Sequence, residues 1–89
     1  MHIGKLYKGI SGKQFVANVK YWFENEAPAK WWGVLVPMGY GRVSDSGYYE
    51  IELEDKRRRS CYLQRRAIWA PSRIATYYVY HFVGTGSLN

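Results

Sequence analysis

The chain has 89 residues, 47% of them apolar and 18% aromatic, and a net charge of +6 from 13 Lys and Arg against 7 Asp and Glu. Such a length supports one domain, here residues 1–89, and the apolar share is too high for a disordered chain. No run reaches the roughly 18 apolar residues of a membrane-spanning helix, and a single cysteine, Cys61, excludes an internal disulfide or a multi-cysteine metal site.

Turn-forming residues divide the chain into short segments that alternate apolar with polar, the period of strands. Ile3 to Lys8 comes first, and Gly9 to Gly12 separates it from Gln14 to Glu24. In that second segment Phe15, Ala17, Val19, Tyr21 and Phe23 should face a core, with Gln14, Asn18, Lys20, Trp22 and Glu24 outside. Lys30 to Val36 follows the Pro28 turn. Matching charges outside and apolar groups inside pairs Glu24 with Lys30, Trp22 with Trp32 and Val19 with Leu35.

Pro37 to Gly47 is the longest connection, after which come Tyr48 to Glu54, Ser60 to Trp69 and Thr76 to Val83. The hairpin around Asp55 to Arg59 should pair Leu53 with Cys61 and Ile51 with Leu63. Cys61 is then a buried apolar residue, and Glu50, Glu52 and Glu54 form one solvated strand face. Gly84 and Gly86 suit a turn or a close backbone approach after the last strand.

Five or six strands with no helix to cover a sheet must bury their apolar faces against one another. The expected fold is therefore all-β, a small barrel of mostly antiparallel strands in meander order, with a compact two-sheet sandwich as the alternative. The start Met1 to Gly9 lacks the apolar segment of a secretory signal, so a cytoplasmic protein is expected.

The inventory for catalysis is short. His2 is terminal, His81 stands in the final strand, and no nucleophile or metal-ligand spacing accompanies them. There is no phosphate loop and no cofactor motif. A non-catalytic binding module without cofactor or metal is the expectation.

The suggestive constellation is arginine with aromatics. Residues 1–20 carry Lys5, Lys8, Lys13 and Lys20 with no acid, and residues 56–73 carry Lys56, Arg57, Arg58, Arg59, Arg65, Arg66 and Arg73, again with none. Trp22 and Trp32 could stack bases beside Lys20, and Arg57, Arg58, Arg59, Arg65 and Arg66 could hold phosphates, a surface for single-stranded nucleic acid. A protein-interaction module using the same aromatics is an equal alternative; a receptor for a small anion and an enzyme rank behind both. Neighbours on a strand point to opposite faces, so either Arg65 or Arg66 must turn inward and needs a partner, which the glutamates at 50–54 or a bound anion would supply.

Tyr49 to Asp55 running into an arginine-rich turn, Trp31-Trp32-Gly33, and the ending Phe82 to Leu88 make the chain resemble short uncharacterised bacterial β-barrel proteins. That resemblance implies a β fold and no activity. In the turn after Asp55, Lys56 stands where a glycine is expected. Gly39-Tyr40-Gly41-Arg42-Val43 and Val79-Tyr80-His81-Phe82 look like the RNA-binding motifs of cold-shock domains, but Arg42 occupies the place of a stacking aromatic.

Overall fold

The computed structural model describes residues 1–9, 13–39, 43–72 and 75–89, apart from the side chains of 67–72 and 75–77. Ile10 to Gly12, the Tyr40 to Arg42 part of the cold-shock-like motif and Arg73 lie outside the described residues. Six strands form: β1 (His2–Lys8), β2 (Gln14–Ala27), β3 (Lys30–Met38), β4 (Ser46–Glu52), β5 (Arg58–Ser72) and β6 (Ala75–Gly84). They close into an antiparallel barrel in the order β1-β2-β3-β6-β5-β4. Among the described residues no helix is long and apolar enough to cross a membrane.

The barrel is borne out, and the meander order is corrected. Two three-stranded meanders, β1-β2-β3 and β4-β5-β6, are joined by β1 pairing with β4 and β3 pairing with β6. Alternation shows which face of a strand looks inward but not which strand lies beside it. This closure joins the meanders through Lys5 to Lys8 of β1 and Tyr80 to Val83 of β6, and beyond it, among the described residues, the far part of the β5–β6 hairpin pairs only with itself.

Inward residues from every strand fill the interior: Leu6, Val19, Tyr21, Trp31, Leu35, Ile51, Cys61, Leu63, Tyr80 and Phe82 are all at most 2% exposed. The buried tyrosine rings occupy core volume while their hydroxyls tie down the barrel ends. Tyr21 Oη accepts a hydrogen bond from the Glu54 amide (2.9 Å), Tyr49 Oη accepts one from the Ser44 amide (3.0 Å), and Tyr80 Oη donates to the Val43 carbonyl (3.0 Å). A side chain on Gly33 would meet the Trp22 carbonyl and the Phe82 ring, so β2 and Phe82 close in where it stands.

Both expected registers are corrected by an even number of residues, which is why the buried sets survive. On β2 and β3, Trp22 faces Val34, Tyr21 faces Leu35 and Val19 faces Pro37. Lys30 pairs with Ala27, because β2 runs on to a two-residue Pro28-Ala29 turn and a bulge at Glu24 absorbs the extra residue. On β4 and β5, Tyr49 faces Cys61 and Ile51 faces Arg59. The turn is centred on Asp55 instead of Arg57. Two backbone hydrogen bonds close it, the Leu53 amide donating to the Arg57 carbonyl (2.7 Å) and the Lys56 amide to the Leu53 carbonyl (2.9 Å). Lys56 takes φ +76° there, the left-handed conformation for which a glycine was expected.

Phe15 is the one misassigned face on β2, half exposed instead of buried. A second bulge, between the Leu6–Ala17 and Tyr7–Phe15 pairs, reverses the alternation. Val16 then packs against the core, and Phe15 lies outside against Tyr7 at 5.7 Å.

Candidate nucleic-acid interface

In a six-membered ring of strands, β2 and β5 are three positions apart and stand on opposite sides. Lys20 and Trp22 lie on the outer face of β2 and Trp32 on that of β3, while Arg57, Arg58, Arg59, Arg65 and Arg66 belong to β5 and the turn before it. The barrel therefore brings Lys20, Trp22 and Trp32 together and separates them from the arginines. A single surface combining the two sets is corrected on that ground.

The arginines are also occupied. With the turn moved to Asp55, Arg57 and Arg59 reach the end of the barrel. Arg57 Nε pairs with Asp55 Oδ2 (2.8 Å), and Arg57 Nη1 and Arg59 Nε donate to the Leu88 carbonyl at 3.1 and 2.8 Å. Arg58 Nε lies 2.6 Å from Glu50 Oε1, and its guanidinium sits 3.7 Å over the Tyr7 ring. Arg65 is the inward member of its pair, opposite the buried Tyr80. Its partner is Asp45 (2.8 Å) from the β3–β4 connection, not a glutamate of β4. Arg66 sits exposed at the β5 bulge.

Nor are the glutamates of β4 and the turn a merely solvated row. Glu50 holds Arg58, Glu52 accepts a 3.5 Å hydrogen bond from Tyr7 Oη, and Glu54 Oε2 accepts one from the Ile3 amide (3.0 Å). That amide holds the Glu54 carboxyl below the usual carboxylate range, and the Arg57 amide does the same for Asp55. Both contacts help fasten the turn.

On the outer face of β1 and β2 the lysines have no ion pair among the described residues. Lys5 faces Asn18 across β1–β2, and Lys20 stands between Ile3 and Val36 on the same outer face. Among the described residues no ion pair engages Lys5, Lys8, Lys13 or Lys20. Trp22 is two residues beyond Lys20, hence about 7 Å along the strand. It is 38% exposed, and Trp32 is half-buried diagonally across β3. The face is bounded by Glu52, opposite Lys5 on β4, and by Glu24, whose carboxylate reaches over to His81 Nε2 (3.7 Å) on β6. His81 of the final strand thus has Glu24 as a partner.

An aromatic row that sequence reading missed continues around the outside. Trp32 faces Val83, Val83 faces Tyr62, and Tyr62 faces Tyr48, whose ring it meets at 5.1 Å. Only the strand order reveals this row, because its members come from four separate strands.

Two other features bear on binding. A cleft of about 290 Å³ at the barrel end, lined by Tyr21, Phe23, Glu26, Glu54, Asp55 and Arg57 among others, carries three carboxylates and so disfavours phosphate. No group of three or more His, Cys, Asp or Glu among the described residues is arranged to hold a metal ion. The chain matches no family model, no curated protein and no solved structure.

Proposed function

We propose that this barrel is a non-catalytic binding module for single-stranded nucleic acid, and that its binding face is the outer surface of β1–β2–β3. The observation that carries the reading is the placement of Lys5 and Lys20, free of ion pairs among the described residues, on one surface with Trp22 and Trp32. Unpaired lysines supply phosphate contacts, and exposed indoles supply stacking that tolerates any base. Arg57, Arg59 and Arg65 are held by Asp55, Leu88 and Asp45 away from Trp22 and Trp32, and Arg58 is held by Glu50 over the Tyr7 ring.

The two kinds of contact respond differently to salt. Replacing Lys5 or Lys20 with alanine should weaken binding to all oligonucleotides and reduce the salt slope by roughly 0.7 each. Trp22→Ala should cost about 1–3 kcal/mol of binding and leave that slope unchanged. Fluorescence titration of DNA and RNA oligonucleotides at several salt concentrations reads both. Binding weaker than about 100 micromolar at low salt, below ordinary non-specific affinity, overturns the reading.

A protein-interaction module is the second reading, favoured by the outer row Trp32, Val83, Tyr62 and Tyr48. Exposed aromatics of this kind anchor protein interfaces. Tyr48→Ala and Tyr62→Ala leave oligonucleotide binding intact under the first reading and abolish partner binding under the second.

A further inference from the structure

The β5–β6 hairpin is longer than the barrel it belongs to. β4 accompanies β5 as far as Gln64, β3 accompanies β6 only over Tyr80 to Val83, and the two strands go on pairing with each other to Ser72 and Ala75. Pro37, two residues past the last β3–β6 pair at Leu35, has no amide with which to extend that ladder. The hairpin therefore projects as a two-stranded arm, and the molecule measures 41 Å along its long axis against 26 and 22 Å across it. Over Ala75 to Val79 no described strand pairs with the outer edge of β6, so its outward amides and carbonyls form an open ladder.

The two edges of the arm differ. That of β5 is blunted three ways: Arg66 stands at a bulge, the pairing is irregular again between Trp69 and Ser72, and Pro71 lies within that irregular stretch. Ala75-Thr76-Tyr77-Tyr78-Val79 on β6 contains no charge, proline or glycine and is rich in strand-forming residues, and Tyr78 is 40% exposed. We infer that the β6 edge over 75–79 pairs antiparallel with the same edge of a second copy of this chain, giving a dimer with a continuous β5-β6-β6-β5 sheet. A second copy is the occupant because the segment matches itself. About a two-fold axis Tyr77 lies opposite its own copy and Tyr78 opposite Thr76, with no like charges facing. The match forms about four to six backbone hydrogen bonds. Antiparallel pairing also sets the two barrels, each chain of net charge +6, at opposite ends of the shared sheet. It closes both open edges at once and leaves only the blunted β5 edges outside, so assembly stops at two.

Sedimentation and hydrogen exchange of the whole chain at several concentrations test this. The wild type should dimerise in the micromolar range, and amides at 75–79 should gain protection with concentration while those at 66–70 do not. Thr76→Lys combined with Tyr78→Lys puts like charges opposite each other twice and should weaken dimerisation about 10-fold. Thr76→Lys combined with Tyr78→Glu puts opposite charges at the same two places and should return it to within about threefold of the wild type. Because both copies carry +6, added salt should strengthen the dimer, whereas it weakens oligonucleotide binding. A wild type still monomeric at about 1 millimolar, a dimer protected elsewhere than at 75–79, or equal dimerisation by the two double variants overturns the inference. Should a double variant fail to fold, the protection pattern of the wild type decides alone. Failure here leaves the oligonucleotide reading untouched, since that reading needs only the outer face of β1–β3.

Discussion

Two sets of basic residues on one barrel are used differently. The arginines at 57, 58, 59 and 65 end on a carboxylate, a carbonyl or a ring, whereas Lys5 and Lys20 meet no ion-pair partner among the described residues. A count of cations in the sequence makes the arginine region the stronger candidate for phosphate. The geometry reverses that order, because a guanidinium whose donors are already satisfied must give up a hydrogen bond before it can bind an anion. The acids are distributed accordingly: four of the seven, Asp45, Glu50, Asp55 and Glu54, bind either an arginine or the backbone at the ends of the barrel.

One barrel wall carries both regions, and the buried Cys61 reports on its inner face. Burial pushes the Cys61 thiol up to about 12. A thiol with a raised folded pKa stabilises fully below its unfolded value near 9 and loses that contribution as pH rises toward 12. The three-unit difference corresponds to about 4 kcal/mol. Denaturant melts between pH 8 and 12 should show stability falling across that window, and native Cys61 should resist a thiol reagent that modifies it quickly in denaturant. Rapid native labelling would mean that β5 does not face the core at Cys61.

Next in size is the contrast between the regions themselves. Arg59→Ala removes a charged donor from the Leu88 carbonyl and should cost about 2 kcal/mol of stability. Lys20→Ala, at a site with no ion pair, should change stability by less than about 0.5 kcal/mol. Urea unfolding of both variants measures the difference, and equal losses would erase the distinction between structural arginines and free lysines.

The smallest effect sharpens the same end of the barrel. Lys56 holds a left-handed backbone at φ +76°, a conformation that costs a side-chain-bearing residue roughly 1–2 kcal/mol. Lys56→Gly relieves that strain at some cost in unfolded-chain entropy, so a net gain of about 0.5–1 kcal/mol is expected. A thermal melt unchanged or lowered by this substitution would show the turn to be unstrained.

Most of what could be read from residue order alone came from alternation with period two. It placed the strands, expected as five or six and observed as six, the inward sets Ala17-Val19-Tyr21 and Ile51-Leu53, the buried Cys61 and Leu63, and the outward Lys20, Trp22 and Trp32. It also required one of Arg65 and Arg66 to turn inward, and Arg65 does so. Each of these depends only on parity along one strand, which local residue order records. Register and neighbour choice depend on something else. Shifting β4 against β5 by four residues, or β2 against β3 by two, preserves every inward side chain, so hydrophobic patterning cannot tell the alternatives apart. The bulges at Val16 and Glu24, the turn centred on Asp55 and the closure of β1 on β4 made those choices in three dimensions. With them came the features that decide function: which basic residues are neutralised, which tryptophans share a face with lysine, and where Leu88 comes to rest. All of these are contacts between segments far apart in the chain, and their partners become neighbours only when the barrel closes.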